Sequence, residues 1–253
     1  MKNMVTGCIV TYNNMSTIDM TLKTMFEFTQ DIDFKLYVVD NNSTDGTVEH
    51  IKANYPQVEV IAHGINAGFG AGHNVAIDLI DSKYHVVINP DIVFVENVIK
   101  KMTDYLDKNE DVGVLSPKIC YPDGTEQILG KKDPHFKYIL ASRLRGDEPG
   151  KLLREYAMLD CDLSEPTEIE NASGCFMVFR TSLLKRIGGF DKRYFMYFED
   201  ADITREVRKY SKAVYYPDAV VSHVWNRDSK HNYKLLAIHI QSMFKYYLKW
   251  KTF

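Results

Sequence analysis

The chain has 253 residues, of which 45% are hydrophobic and 26% are charged. This ordinary globular composition suits one α/β domain, or one domain with a small appendage. The formal net charge of −3 gives a nucleic-acid partner no electrostatic support. The four cysteines form no C-x-x-C pair, which argues against a structural zinc site or a disulfide framework. With no secretory-signal pattern and no run of about 18 apolar residues, we expect a cytoplasmic protein.

Strand-like and helix-like patterns alternate over residues 1–120. This alternation is typical of βαβ units around a mostly parallel central sheet that is flanked by helices. Short apolar runs predict strands at Val5–Thr11, Lys35–Asp40, Val58–Ala62, His85–Ile88 and Val112–Leu115. Apolar residues at helical spacing predict helices around 16–26, 48–55, 66–80 and 98–106.

The periodic signal weakens between Pro122 and Asn171, where glycines, prolines and basic residues are frequent. A stretch this long is unusual for a passive connection, so we interpret it as an acceptor-binding insert or a lid. Regular patterns then predict a strand at Cys175–Arg180, a helix from Glu199, strands near Ala213–Tyr216 and Ala219–Val224, and a helix at about 234–250. We therefore divide the chain into one domain at 1–230, with halves 1–120 and 121–230, and a C-terminal helix at 231–253.

Polar side chains follow three of the predicted strands. Tyr12 and Asn13 come after the first strand, Asp40 ends the second, and Asn89 and Asp91 follow the fourth. Taken alone, each group is explained by a turn after the strand, because Asn and Asp are frequent turn residues. Because ligands of parallel sheets bind outside the carboxyl ends of the strands, the groups together favour a nucleotide site at one edge.

Three of the candidate residues suit particular ligands. Asp40 is placed to accept the N3–H of a uracil or thymine ring, and its alternative role is to cap the following helix. Asp91 suits a divalent cation that bridges two phosphates, since Mg²⁺ and Mn²⁺ prefer oxygen ligands; otherwise it is a turn residue. His223 ends the last apolar strand and is either a metal ligand or a satisfied structural histidine.

The segment 66–72 (N-A-G-F-G-A-G) is rich in glycine and precedes a predicted helix. It lacks the full G-x-G-x-x-G pattern and follows the third strand rather than the first, which disfavours a dehydrogenase. Its glycines instead fit a helix N-terminus that packs close to a nucleotide.

The segment 195–202 (F-M-Y-F-E-D-A-D) delivers carboxylates directly after a hydrophobic run. Apolar surroundings raise the pKa of a carboxyl group, which suits a general base near neutral pH. Acids favoured by a helix N-terminus are the alternative, and this explains Asp202 better than Glu199 and Asp200.

With these segments assembled, the chain resembles family 2 glycosyltransferases of the GT-A fold, and most of all the bacterial rhamnosyltransferase-like enzymes of surface-polysaccharide synthesis. The resemblance covers nearly the whole chain. It rests on I-V-T-Y-N (9–13), V-V-D-N-N-S-T-D-G-T (38–47), N-A-G-F-G-A-G-H-N (66–74), N-P-D (89–91), G-C-F-M-V-F-R (174–180), G-G-F-D-K-R-Y-F-M-Y-F-E-D-A-D (188–202) and S-H-V-W-N-R-D-S-K (222–230).

The resemblance implies a role for each matching residue. Asp200 is the catalytic base with Glu199 beside it, and Asp91 and His223 hold Mn²⁺ or Mg²⁺. The predicted nucleotide-binding residues are Thr11, Tyr12, Asn13, Asp40, Asn42, Asn66, Gly68, His73, Asn89, Arg227 and Lys230. The sequence departs from the family at two positions: the D-x-D motif begins with Asn89, and His73 stands where many relatives have arginine.

The implied activity is inverting transfer of a sugar from a nucleoside-diphosphate sugar to a hydroxyl of a glycan or a polyprenyl-linked glycan. dTDP-L-rhamnose is the first expectation for the donor, and a UDP-hexose is the alternative. A nucleotidyltransferase would need a glycine- and arginine-rich loop that Tyr12–Asn14 does not supply. A non-catalytic binding module would not need Glu199 and Asp200.

The C-terminal helix has an apolar stripe with lysines on its other side. Lysines beside aromatic residues suit a membrane surface, so we expect contact with the inner face of the cell membrane. The alternatives are packing on the domain and a dimer contact. The stripe consists of Leu236, Ile240, Met243, Tyr247 and Trp250, and the lysines are Lys245 and Lys249.

Overall fold

The computed structural model describes residues 5–143, 148–224 and 233–252. Its strands are β1 (Val5–Thr11), β2 (Phe34–Asp40), β3 (Glu59–Ala62), β4 (Tyr84–Ile88), β5 (Ile92–Phe94), β6 (Val112–Cys120), β7 (Thr167–Glu168), β8 (Phe176–Arg180) and β9 (Lys212–His223). Its helices are α1 (Ile18–Phe28), α2 (Thr47–Asn54), α3 (Phe69–Ile77), α4 (Val98–Lys108), α5 (Phe136–Arg143), α6 (Lys151–Ala157), α7 (Thr181–Arg186), α8 (Glu199–Val207) and α9 (Tyr233–Trp250).

All these strands belong to one sheet with the order β3-β2-β1-β4-β8-β6-β9-β5, and β7 pairs with β9. The strands from β3 to β4 run parallel, as predicted. β8 is antiparallel to both of its neighbours, so the sheet as a whole is mixed. The prediction of an α/β fold with a central sheet flanked by helices is confirmed.

The sheet carries a hydrophobic core on each face. Along β2, Leu36 and Val38 contribute to one core while Tyr37 and Val39 contribute to the other, because successive strand residues point to opposite faces. The first core includes the apolar sides of α1 and α4, and the second includes those of α3, α7 and α8. Burial on both faces explains why these strands appear as continuous apolar runs.

The region of weak periodicity contains α5, α6 and β7, which are too short for a clear periodic signal. The two strands that we predicted near Ala213 and Ala219 form the single strand β9. The register of β9 against β6 shifts between Pro117 and Lys118, and this irregularity explains the gap in the pattern.

The C-terminal helix α9 packs against the start of α8. Met243, Tyr246 and Tyr247 are buried in a cluster with Tyr194 and Phe198. The prediction that the stripe containing Met243 and Tyr247 faces a membrane is therefore wrong, and packing on the domain is confirmed for this side of the helix. Residues 225–232 lie outside the described residues, so the domain boundary at 230/231 stays a prediction, as does the one at 120/121.

Lys249, in the last turn of α9, is also a packing residue. Its ammonium group lies 3.0 Å from Asp191, 2.7 Å from Asp202 and 3.1 Å from Glu206, and its side chain is 17% exposed. The prediction that Lys249 faces lipid is wrong. No helix within the described ranges is long and apolar enough to cross a bilayer.

Candidate active site

The ends of β1 and β2 hold Asp40 in a fixed position. The Thr11 hydroxyl donates to Asp40 Oδ1 at 3.1 Å, and the backbone N–H groups of Asn42 and Ser43 donate to Asp40 Oδ2 at 3.1 and 3.0 Å. Both Thr11 and Asp40 are buried. The helix-cap alternative for Asp40 is wrong, because α2 begins at Thr47 with Gly46 as its N-cap residue. Asp40 instead orders the loop that follows β2.

The loop after β1 lies against this ordered loop. Asn13 has a φ of +59° and Asn42 a φ of +70°, and both conformations are ones that asparagine tolerates. The Asn13 amide oxygen accepts the Thr44 N–H at 2.8 Å. Tyr12 stands beside them with 50% of its surface exposed, so its ring is available to a ligand.

The glycine-rich segment connects these loops to the acidic segment. Asn66 accepts the N–H of Gly68 at 3.1 Å, and the Asn41 amide donates to the Gly68 carbonyl at 3.0 Å. Gly68 has a φ of +92°, and a Cβ there would lie 2.0 Å from the carbonyl oxygen of Phe195. Phe69 donates its N–H to that same carbonyl at 2.9 Å. Only glycine permits this close approach.

His73 does not reach the site surface. Its ring is fully buried between Phe69 and Phe190, with ring centroids 4.5 and 5.6 Å away, and neither ring nitrogen has a hydrogen-bond partner. Burial, with a smaller effect from His85, lowers the pKa of His73 well below its ordinary value. The prediction that His73 contacts the nucleotide is therefore wrong. It is a neutral core residue.

Pairing of β5 with β9 brings Asp91 next to His223. Asp91 Oδ1 lies 3.3 Å from His223 Nε2 and is buried without a hydrogen bond. Gln127 lies against His223, with its Oε1 3.2 Å from His223 Nδ1 and its amide donating to the His223 carbonyl at 2.8 Å. The sequence does not indicate Gln127, because no motif links it to a strand nearly a hundred residues away.

Asp91 and His223 together fit a divalent cation. A buried carboxylate oxygen without a hydrogen bond beside an imidazole nitrogen is a donor pair that Mn²⁺ accepts, and Mg²⁺ accepts the carboxylate. Across the described parts of the chain, no group of three or more His, Cys, Asp or Glu side chains forms a metal site. Two protein ligands would leave the remaining positions for phosphate oxygens and water.

Two consecutive residues in the left-handed region deliver the acidic pair. Tyr197 and Phe198 have φ values of +71° and +67°, and α8 then begins at Glu199. Such backbone costs about 1 kcal/mol or more per residue and persists only where the surroundings enforce it. Here the ring of Phe198 is held against Tyr246 and Tyr247.

Glu199 and Asp200 have different surroundings. Asp200 Oδ2 accepts the N–H of Gly174 at 3.1 Å, and Oδ1 accepts the N–H of Ala201 at 2.8 Å. Burial raises the pKa of Asp200, while these N–H groups oppose the rise. Burial, aided by the charge of Asp200, raises the pKa of Glu199 to about 8, and its Oε2 is buried without a partner. Gly174 is a further site residue, which the sequence indicated only as the first residue of the motif 174–180.

Asp202 is a structural residue, in agreement with its assignment to the helix start. It is almost fully buried and accepts bonds from the Tyr194 hydroxyl, the Lys249 ammonium and the Trp250 indole at 3.2, 2.7 and 2.8 Å.

A cleft of about 400 Å³ collects part of the predicted site. Asn89, His223, Glu199 and Asp200 line it, together with apolar residues of the 121–171 region and His239 of α9. Thr11 and Asp40 lie at the strand ends outside its walls. Arg227 and Lys230, which we predicted to contact the diphosphate, lie outside the described residues.

The cleft therefore lies at the carboxyl ends of the strands of an α/β sheet, with a carboxylate–histidine pair and the acids Glu199 and Asp200 beside it. Comparison with known proteins identifies the class: the chain belongs to Glycosyl transferase family 2, which matches residues 7–188.

Among curated relatives, the chain is 28% identical over 214 residues to the N-acetylglucosaminyl-diphospho-decaprenol L-rhamnosyltransferase of Mycobacterium tuberculosis. That match covers 74% of this chain and 65% of the relative, so the chain spans slightly less than two thirds of the relative's length. The chain is also 24% identical over 225 residues to rhamnosyltransferase WbbL of Escherichia coli K12, covering 84% of this chain and 81% of WbbL. The resemblance to rhamnosyltransferases is confirmed.

Solved structures share the fold. The mannosyltransferase PcManGT of Pyrobaculum calidifontis, in complex with GDP-Man and Mn²⁺, superposes with a TM-score of 0.65 at 20% identity, covering 97% of this chain and 64% of PcManGT. GalNAc-T7 with UDP, GalNAc and Mn²⁺ superposes with a TM-score of 0.68 at 14% identity, covering 88% of this chain and 43% of GalNAc-T7. The GT-A fold is thereby confirmed.

Proposed function

We propose that this protein is an inverting, metal-dependent glycosyltransferase that moves a sugar from a nucleoside-diphosphate sugar to an acceptor hydroxyl. The observation that carries the proposal is the cleft shared by the acidic pair Glu199–Asp200 and by His223, which contacts Asp91. A base for the acceptor and a cation site for the leaving group are the two things that such a displacement needs.

Asp200 is the base. Its two oxygens are oriented by the N–H groups of Gly174 and Ala201, while its raised pKa strengthens it as a proton acceptor. Glu199 is unsuited to the same role, because a carboxyl group with a pKa of about 8 is mostly protonated at pH 7. Glu199 therefore takes part as a neutral group.

The reaction is a single displacement. The acceptor oxygen loses its proton to Asp200 and forms a bond to the anomeric carbon as the bond from that carbon to the diphosphate breaks. Attack from the face opposite the leaving group inverts the anomeric centre. The nucleoside is held at the ends of β1 and β2, where Asp40 receives the base and Tyr12 offers an exposed ring. A Mn²⁺ or Mg²⁺ ion at Asp91 and His223 would supply positive charge to the departing diphosphate.

The donor that we propose is dTDP-L-rhamnose, and the acceptor is a polyprenyl-linked glycan of a surface polysaccharide at the cytoplasmic face of the membrane. The support is that two relatives are rhamnosyltransferases, one of them named for a diphospho-decaprenol substrate. A UDP-hexose is the second candidate donor, because a structure with the same fold holds UDP.

Thermal stabilisation by a panel of nucleotide sugars, with and without Mn²⁺, tests this proposal. A ligand that binds only the folded protein raises its melting temperature, and at a fixed ligand concentration tighter binding gives a larger rise. We expect a shift from dTDP-L-rhamnose that grows on addition of Mn²⁺ and is absent with free rhamnose. No shift from any nucleotide sugar would refute the proposed activity.

The solvent-facing side of α9 is the candidate membrane contact. Tyr233, Ile240, Phe244 and Leu248 are exposed along it, with Leu248 at 70%, and α9 contains neither Asp nor Glu. An apolar face on a helix without acidic residues suits an anionic lipid surface. Met243 and Tyr247, which are buried against the domain, do not belong to this exposed side.

Sedimentation with phosphatidylglycerol vesicles tests this contact. The double variant Phe244→Asp, Leu248→Asp should release the protein, whereas Tyr210→Asp, at an exposed tyrosine elsewhere, should not. Failure of the wild type to sediment would exclude lipid, and dimerisation that is lost in the double variant would assign the face to a second copy.

A further inference from the structure

Part of the cleft wall is not used by the proposed reaction. It comes from α5, α6 and α9 and from the turn before α8, and its side chains are mainly apolar or aromatic. Ile139, Leu153, Tyr156 and Phe198 are among them. A cleft of about 400 Å³ that combines an apolar wall with convergent polar side chains is a usual form of a small-molecule site.

Two residues that line this cleft each carry a polar atom without a hydrogen-bond partner. Glu199 Oε2 and His239 Nδ1 are both buried without a hydrogen bond, although Glu199 comes from α8 and His239 from α9. An unpaired buried polar atom costs about 1–3 kcal/mol, so two of them on residues that line one cleft point to a ligand that pairs with both. Glu199 is only 6% exposed, so its side chain is held in the wall of the cleft rather than in solvent.

The position of His239 is fixed by packing. The Ser242 hydroxyl, on the same helix, donates to the Met196 carbonyl at 2.8 Å and ties α9 to the turn before Glu199. The ring of His239 lies 5.1 Å from that of Tyr197 and 5.2 Å from that of Phe198. Because these neighbours are part of the turn that delivers the acids, His239 keeps a constant relation to Glu199.

Both groups are uncharged at neutral pH. Burial raises the pKa of Glu199 to about 8, and burial together with the nearby Arg143 lowers the pKa of His239 to about 4. A neutral carboxyl group donates a hydrogen bond and a neutral imidazole nitrogen donates or accepts one. Such a pair suits the hydroxyl groups of an uncharged ligand and offers no counter-charge to a phosphate.

We propose that Glu199 and His239 form the subsite for the acceptor sugar, where they bind hydroxyl groups of an uncharged pyranoside while the apolar wall packs against its ring. This assignment rests on the proposed glycosyltransferase function. It makes α9 part of the substrate site and gives Glu199 a binding role distinct from that of Asp200. A site built to pair with hydroxyl groups rejects ligands that lack them, so the subsite also determines acceptor specificity.

Calorimetric titration with octyl N-acetyl-β-D-glucosaminide, in the presence of dTDP and Mn²⁺, tests the subsite. His239→Phe keeps an aromatic ring of similar packing but removes the hydrogen bond, and we expect the Kd for the glycoside to rise about tenfold. His239→Gln retains a polar group and should weaken binding less. His50→Phe changes a histidine on α2 that pairs with Asp19 and is not in the cleft wall, and should leave the Kd unchanged.

The affinity for dTDP, measured in the same variants, separates the two proposals. Equal glycoside affinity in wild type and His239→Phe, with normal dTDP binding, would overturn the subsite alone, as would the absence of saturable glycoside binding to the wild type. Failure of the wild type to bind either dTDP or UDP would instead overturn the proposed function. A melting temperature of His239→Phe near that of the wild type confirms that the variant is folded.

Discussion

At the scale of single residues, Asp91 and His223 have the most specific role in the proposal. Asp91→Ala should abolish the Mn²⁺-dependent tightening of dTDP binding, and His223→Ala should weaken it, because each removes one of two protein ligands. Calorimetric titration of dTDP with and without Mn²⁺ measures this. Asp123→Ala, in an exposed turn, is the matched control. Full activity of the wild type in excess chelator would contradict a metal-dependent reaction.

Glu199 gives a pH-dependent prediction. Its pKa is about 8 in the folded protein and ordinarily 4.5, so between these values the unfolded chain ionises while the folded protein does not. Stability is therefore retained below about pH 4.5 and is lost as pH rises towards 8. Glu199→Gln removes this loss and should raise the free energy of unfolding at pH 8 by about 1–4 kcal/mol, with little change at pH 4.

Urea unfolding at pH 4 and pH 8 measures the effect of Glu199→Gln, and Glu168→Gln at an exposed position is the control. If Glu199→Gln and the wild type lose stability in parallel as pH rises, Glu199 is not held in its neutral form. The sequence indicated the acidic pair, and the family resemblance implied Asp200 as the base, but neither indicated that the two carboxyl groups have different surroundings. The surroundings of Asp200 depend on Gly174, which lies just before β8 and donates its N–H to Asp200.

At the scale of elements, the contact between α9 and α8 is a part of the fold that the sequence left open. The helical period of α9 was evident, but the same apolar stripe suits lipid or protein equally well. Only the tertiary structure shows that Lys249 lies among Asp191, Asp202 and Glu206. By contrast, β1 and the end of β2 at Asp40 were predicted correctly, because buried parallel strands are continuous apolar runs bounded by turns.

Lys249→Met tests the importance of this contact. Removing the ammonium group leaves three partly or fully buried carboxylates without their cation, and Asp202 is the most deeply buried of them. We expect a loss of about 2–3 kcal/mol in the free energy of unfolding, less than the ~3–5 kcal/mol of a fully buried pair because Lys249 is partly exposed. Urea unfolding at pH 7 gives this value.

The control for Lys249→Met is Lys245→Met, one turn earlier on α9. Lys245 donates to the carbonyl oxygen of Arg193 at an exposed position, so its loss should cost no more than about 0.5 kcal/mol. Equal destabilisation by the two variants would show that α9 is not held to α8 by this ionic contact.

At the scale of the whole molecule, buried neutral histidines make the fold sensitive to acid. Burial lowers the pKa of His85 from 6.5 to about 3 and lowers that of His73 well below 6.5. Their contribution to stability is present above pH 6.5 and is lost as pH falls, because the unfolded chain binds the protons first. Each of the two histidines lowers the free energy of unfolding by up to about 2 kcal/mol as the pH falls from 6.5 to 5.

His73→Leu should reduce this acid sensitivity, since leucine suits the apolar surroundings of Phe69 and Phe190. The measurement is the difference in unfolding free energy between pH 7 and pH 5, with His135→Gln at a partly exposed position as the control. A wild-type difference no larger than that of His73→Leu would show that His73 is not buried as a neutral group.

The sequence placed His73 at the nucleotide because its motif position alone does not reveal which side of α3 faces the core.

The central claim is that Asp200 is the general base of the reaction. The variant Asp200→Asn tests this claim most directly. Asparagine preserves the size of the side chain and one acceptor oxygen but cannot take a proton from the acceptor hydroxyl. With dTDP-L-rhamnose, Mn²⁺ and the glycoside acceptor, we expect turnover to fall by about 10²–10⁴ while the Kd for the donor stays within a few-fold of wild type. Turnover close to that of the wild type, with unchanged donor binding, would contradict the account.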